Sequence, residues 1–252
     1  MTLFRNVVFV AALAGLVAGI VMAALQAYAT VPLILQAETY ETAGGHDHGA
    51  GGHSHGDEAA GGHSHDAAAT AEEEEGWAPA DGFERFFYTS MANIVTAIGF
   101  GLILVVASEF AGGIAGWRQG LLWGLAGFAT FTLAPGLGLP PELPAMPAAD
   151  LGARQAWWLG TVIATGAGLA LIALCRSLPL AALGVVLITA PHIVGAPQPV
   201  SYETAVPEGL HHDFVVAVTM TNLVFWVVLG AVAGMLRGRF AEEAGAAQKS
   251  FA

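Results

Sequence analysis

"VVFVAALAGLVAGIVMAAL", residues 7–25, runs for nineteen residues without one charged or amide side chain. At about 1.5 Å of rise per residue, a helix of about 20 such residues covers the roughly 30 Å hydrocarbon core of a bilayer. In lipid, a helix also satisfies its own backbone hydrogen bonds, which an irregular segment does not. Five further apolar stretches follow, at about 89–110, 119–135, 156–175, 178–196 and 214–236. A β-barrel would instead show alternating segments of about ten residues. The pattern predicts an all-α protein, a polytopic transmembrane helical bundle with six spans, or five if 178–196 is re-entrant or interfacial. That stretch is the weakest of the six. Only "RSL" separates it from its predecessor, and it contains Pro179, Pro191 and His192.

Composition points the same way: of 252 residues, 55% are hydrophobic and 11% charged, with a mean hydropathy of +0.62. The formal charge of -12 is concentrated, since twelve of the twenty acidic residues lie between Glu38 and Glu84. Lys249 is the only lysine and no basic stripe exists, so nucleic acid is excluded as a partner. Cys175 stands alone and supports neither a disulfide framework nor a thiolate metal site. The chain has no Walker A pattern, no His-Glu-x-x-His and no serine-histidine-acid constellation, and the expectation is that it is not an enzyme.

Short loops rich in arginine and lysine stay in the cytoplasm. With six spans and a cytoplasmic N-terminus, Arg5, Arg118, Arg176, Arg237, Arg239 and Lys249 fall inside, and only Arg85 and Arg154 fall outside. The regions are then 1–36, an N-terminal transmembrane helix; 37–88, a His-rich acidic extracytoplasmic loop; 89–238, the helical bundle; and 239–252, a short cytoplasmic tail. Ala27-Tyr28-Ala29 offers a signal-peptide cleavage pattern, but a nineteen-residue core exceeds the usual 7 to 15, which favours an anchoring helix. Either way, the loop is delivered to the same side. Glycine steps Gly15 to Gly19, Gly120 to Gly124 and Gly230 to Gly234 predict close helix approach in the bilayer. A homo-oligomer stays open as an assembly.

The loop carries "GGHDHGAGGHSHGDEAAGGHSHD", residues 44–66, with six histidines in twenty residues: His46, His48, His53, His55, His63 and His65. It has no apolar periodicity and many glycines and acids, so it is expected to be a flexible tether. Neutral imidazole suits cobalt, nickel, copper or zinc, and Asp47, Asp57, Glu58 and Asp66 add oxygen ligands or charge compensation. Metal capture is the favoured reading. The bland alternatives are a pH-responsive solubilising loop or a low-complexity insertion, and protonation near pH 6.5 makes either reading pH-dependent.

An ionisable or amide side chain within a span is costly unless paired or wetted, so each is a functional candidate by default. Glu109 near the cytoplasmic end of the second span is an exit ligand or proton acceptor, or else an interfacial carboxylate paired with Arg118. His192 follows Pro191, where a helix break would offer carbonyls and an imidazole to one ion. His211, His212 and Asp213 open the last span on the outer side as an intake site. Asn93 and Asn222 are candidates for lining a hydrated path, with interhelical hydrogen bonding as the alternative. Trp157, Trp158, Phe225, Trp226, Phe86, Phe87 and Tyr88 read as membrane-border anchors or helix contacts. A membrane-bound metal-dependent enzyme and a buffering or sensing subunit are the rival functions, since the same ligand types hold catalytic zinc or iron.

Beyond these residues, "SEFAGGIAGWRQGLLWGLAGFATF", "PGLGLPPELPAM", "RQAWWLGT", "TAPHIVGAP" and "NLVFWVVLG" resemble the cobalt transporter subunit family CbtA, and the multi-span layout extends the likeness over nearly the whole chain. The resemblance implies a bacterial inner-membrane protein serving cobalt supply for cobalamin synthesis. It also implies a small single-span partner of the CbtB type with a histidine-containing tail, and five spans rather than six. The positions it carries over are Glu109, Pro191 with His192, and Asn222 with Trp226. No tightly bound cofactor is expected; Co2+, or Ni2+ or Zn2+, is the transported or captured ion.

Overall fold

The first helix buries one side in a helical bundle, with Val10, Ala14 and Ala18 fully buried, and leaves Leu16, Val17 and Ile20 exposed on the other. The computed structural model describes residues 2–44 and 82–250. Helix α1 (Thr2–Ala29) gives way at Thr30 to α2 (Val31–Gly44). Pro32 explains the break, because its ring lacks an N–H and clashes with the carbonyl four residues earlier. Helix α3 (Phe83–Phe110) follows, then α4 (Trp117–Phe128), a π-helical turn (Ala129–Leu133) and α5 (Ala134–Gly138). The remaining helices are α6 (Leu151–Leu174), α7 (Leu178–Val194) and α8 (Glu208–Ser250). Helix therefore extends into both ends of the 37–88 segment.

Among the described residues, five helical stretches are long and apolar enough to cross a membrane: Phe4–Ala29, Phe83–Phe110, Trp117–Gly138, Leu151–Leu174 and Glu208–Phe240. The sixth expected span, α7, is a shorter apolar helix of 17 residues, about 25 Å long. It lies antiparallel to α6, since Gly168 packs against Gly184 and Trp157 against Pro191. The break expected at Pro191 does not occur: helix continues through it to Val194 and stops at Gly195, whose φ of +86° is open to glycine. The third span bends its hydrogen bonding instead. Ala134 N–H reaches back five residues to the Ala129 carbonyl, one residue before Pro135, so a widened turn absorbs the proline.

Small residues set how the helices meet. Along the α1–α3 contact, a methyl group on Gly15 or Gly19 would stand 2.6 Å from the Cα of Ile98 or Ile94. Across α4 and α8, Gly120, Gly124, Gly230 and Gly234 interleave backbone on backbone, which bears out the two glycine steps read from sequence. The central core is Val10, Ala14 and Ala18 of α1, Leu104 and Val105 of α3, and Trp226 and Leu229 of α8. Hairpin α6–α7 packs beside it through the π-helical turn and α5. Outward-facing Val95, Leu122, Ile163 and Val186 are exposed; in a bundle of this composition they form the surface that lipid covers.

Two ends of the bundle are distinguishable. One carries Phe9 against Phe240 and Glu109 against Arg237. The other is capped by a second apolar cluster of Ala37, Leu143, Val206, Leu210 and Phe214. Polar ties hold this cap: Arg85 to Glu38 at 3.1 Å, Arg154 to Glu142 at 2.9 Å, and Thr204 Oγ1 donating to the Ala145 carbonyl at 3.0 Å. Ala145 has a φ of +63°, a conformation costly for a residue with a Cβ; the Glu41 carboxylate accepts its N–H at 3.2 Å and holds it.

Candidate functional site

Several polar side chains of the apolar helices, Gln26, Asn93, Thr221 and Asn222 among them, lie toward the capped end. Gln26 is the last amide of α1 and Asn93 sits three turns into α3, and the antiparallel packing brings them level. Asn93 Nδ2 donates to Gln26 Oε1 at 2.6 Å. Beside this pair lies a cavity of about 350 Å³ lined by Gln26, Thr30, Arg85, Thr89, Thr221 and Asn222 together with Met22, Val31, Ile34, Phe214 and Val218. A second cavity of about 460 Å³ lies between α8 and the π-helical turn and includes Thr132, Pro135, Trp158 and Thr219. Both are lined by Val218 and Asn222, so Asn222 borders the two.

One helical turn further along α8, the character changes. Trp226 is 2% exposed and stacks on Phe131 at 5.6 Å, with Phe100 at 5.0 Å and Phe225 at 5.5 Å from the same ring. Its indole N–H donates to Thr132 Oγ1 at 3.3 Å, as a buried indole requires. Trp226 and Phe225 are therefore core contacts, the second of the two roles their sequence allowed. The π-helical turn is what brings Phe131 and Thr132 to this tryptophan.

At the opposite end, Glu109 is bound by Arg237. The sequence suggested Arg118 as the paired alternative, but Arg118 lies over the Trp117 ring at 5.5 Å. Helix α3 ends just after Glu109 in a turn made by Gly112 and Gly113, both at positive φ, and the Gly113 N–H donates to the Ser108 carbonyl at 2.8 Å. That turn leaves room for the guanidinium: a methyl on Gly113 would lie 3.4 Å from Arg237 Nη2.

The histidine candidates are dispersed. His192 is half-buried, edge-on to Trp157 at 5.9 Å, while the neighbouring Pro191 carbonyl accepts from the Trp157 indole at 3.3 Å and from Gly195 N–H at 3.0 Å. His211 Nε2 is 3.1 Å from the Pro141 carbonyl, so it pins the cap to α8. His212 and Asp213 are exposed on a well-made helix start, where the Leu210 and His211 N–H groups donate to the Pro207 carbonyl. His46, His48, His53, His55, His63 and His65 lie outside the described residues. Among the described residues, no three His, Cys, Asp or Glu side chains gather into a group able to hold a metal ion.

Sequence reasoning singled out Asn93 and Asn222 but missed Gln26, Thr30, Thr89, Thr132 and Thr221. Their signal is faint: single hydroxyls are cheap in a span because they bond to their own helix, and Gln26 reads as a border residue. Only the packing shows that Gln26, Thr30, Thr89 and Thr221 share one cavity, and that Thr132 lines the second. Residues 4–238 match the family described as "Probable cobalt transporter subunit (CbtA)". No curated relative and no solved structure matches the chain.

Proposed function

The chain belongs to the CbtA family of probable cobalt transporter subunits, and from that premise we propose that it carries Co2+ inward across a bacterial inner membrane, for cobalamin synthesis. The histidine-rich segment captures the ion outside, and the cavity between α1, α2, α3 and α8 receives it. The observation that carries this reading is the gathering of the amides Gln26 and Asn222, with Thr30 and Thr221 beside them, around one cavity within otherwise apolar helices, because an amide in a span is costly and is a functional candidate by default. His211, His212 and Asp213 stand on the capped end as a surface intake, and His192 and Glu109 are further candidate contacts. Lipid surrounds the bundle, and a small single-span CbtB-type chain is the proposed partner.

We also infer six crossings with both termini cytoplasmic. Helix α6 starts at the capped end, where Arg154 binds Glu142, and α8 starts there too, where His211 meets Pro141. Since α6 runs its full length away from that end, α7 has to return the chain. Its 17 residues fall short of the roughly 20 that match a bilayer, a mismatch that local thinning or flanking polar residues accommodate at modest cost.

Uptake of Co2+ by proteoliposomes holding this chain, with and without its small partner, tests the transport reading. Accumulation above protein-free vesicles in at least one preparation is expected. No metal-dependent accumulation in either would overturn it.

A further inference from the structure

The lining of the cavity beside Gln26 and Asn93 includes two threonines that give their hydroxyl hydrogens to backbone carbonyls, and two amides. Thr30 Oγ1 donates to the Gln26 carbonyl at 3.2 Å, and Thr221 Oγ1 donates to the Val218 carbonyl at 3.0 Å. Asn222 Nδ2 donates to the same Val218 carbonyl at 2.9 Å. Gln26 Oε1 takes one bond from Asn93 and, as an sp² oxygen, keeps a second lone pair. For a guest these four side chains offer two hydroxyl oxygens and two amide oxygens as acceptors, beside the N–H groups of the Gln26 and Asn222 amides; all four are uncharged and come from α1, the Thr30 link to α2, and α8. Among the described residues that line the cavity, Arg85 is the one that carries a charge, and Glu38 binds it at 3.1 Å.

We propose that Gln26, Thr30, Thr221 and Asn222 form a neutral oxygen-donor site that binds a divalent cation with much of its hydration shell retained. Resting on the transport reading above, this places the ion at a defined point in the outer half of the bundle. The space fits. About 350 Å³ corresponds to roughly ten water volumes at about 30 Å³ each, enough for a six-coordinate aqua ion and a few more waters. Lone pairs accept hydrogen bonds from the ion's coordinated waters and replace some of them.

Donor type sets the strength. Carbonyl, hydroxyl and water oxygens are the ligands of magnesium, calcium and manganese, and they hold late transition metals less tightly than imidazole or thiolate does. Such a site binds weakly and releases readily, and it selects poorly among divalent ions. In this arrangement, the preference for one metal resides in the histidines, and the cavity is a place of passage.

Asparagine labelling makes the site visible in the intact chain. The protein has three asparagines, Asn6, Asn93 and Asn222. Asn93 and Asn222 flank the cavity, whereas Asn6 is twenty residues before Gln26 on α1, about 30 Å away along the helix. Mn2+ serves as probe because it is paramagnetic and favours oxygen over imidazole. In lipid nanodiscs, Mn2+ titrated into the ¹⁵N-asparagine-labelled full chain is expected to broaden the Asn93 and Asn222 side-chain amide signals and leave Asn6 sharp. The paired variant Thr30→Val with Thr221→Val, nearly isosteric, is expected to raise the Mn2+ concentration needed for that broadening at least fivefold, with the unliganded spectrum kept. Equal broadening of all three amides, no broadening at Asn93 and Asn222, or an unchanged titration in the paired variant would overturn the site. A selective titration from a chain that accumulates no Co2+ would keep the site and reject transport; Co2+ accumulation with a non-selective titration would do the reverse.

Discussion

Gly120 and Gly230 stand face to face where α4 crosses α8, and a Cβ built on either one would run into the carbonyl oxygen of the other. Neither neighbour is a flexible side chain, so the helices would have to separate. Replacing Gly120 or Gly230 with valine is expected to cost about 3 kcal/mol or more, the upper range for overpacking. Gly99 and Gly160 meet nothing within 4 Å, and alanine there is expected to be neutral or to stabilise by up to about 1 kcal/mol through helix propensity. Thermal unfolding in detergent would check the contrast; equal losses at all four positions would refute the packing argument.

The Asn93 to Gln26 bond couples α1 to α3 across the apolar contact. Interhelical hydrogen bonds in membranes average about 0.6 kcal/mol, with a maximum near 1.7. A double-mutant cycle of Asn93→Leu and Gln26→Leu is expected to give a coupling energy within that range. A coupling of zero would mean that the two amides reach different partners.

Glu109 and Arg237 form a partly buried ion pair, with side-chain exposures of 25% and 16%. Glu109→Gln strands the guanidinium, whose Nε lacks a partner among the described residues, and a loss of about 3 kcal/mol is expected, the lower end for breaking a buried pair. The exchange Glu109→Arg with Arg237→Glu is expected to recover most of it. Uptake measured alongside separates two roles: if the exchange restores stability but not maximal Co2+ flux, Glu109 touches the ion; if both return, it only holds α3 to α8.

Six crossings put the two ends of α7 on opposite faces of the membrane. After Cys175→Ala, cysteines placed at Ser177 and Gln198 are expected to react with a membrane-impermeant thiol reagent from the inside and the outside, respectively. Labelling of both from one face would return the count to five.

Removal of residues 44–66 is expected to raise the Co2+ concentration for half-maximal uptake several-fold with little change in maximal flux, because a tethered binding segment raises local concentration without forming the path. A concentration series checks this, and abolished flux at abundant Co2+ would show the segment to be part of the path. Parallel series with nickel and zinc would reveal which ion the histidines prefer.

Membrane class, helical content and the glycine steps were legible in the sequence because lipid imposes them locally. A backbone without water must hydrogen-bond to itself, and two helices in lipid approach closely only where side chains are small. The functional chemistry was half legible. Asn93 and Asn222 stood out as amides in apolar runs, but nothing along the chain tells that Asn93 meets Gln26, 67 residues earlier, or that Glu109 passes over Arg118, nine residues on, for Arg237, 128 residues on. The π-helical turn was equally hidden, since Pro135 predicts a disturbance and not its form. Tertiary structure decided these points for one physical reason: a polar group in a span is satisfied by whichever helix packs level with it, and that is fixed by the register of helix against helix, which the glycines permit and only the assembled bundle selects.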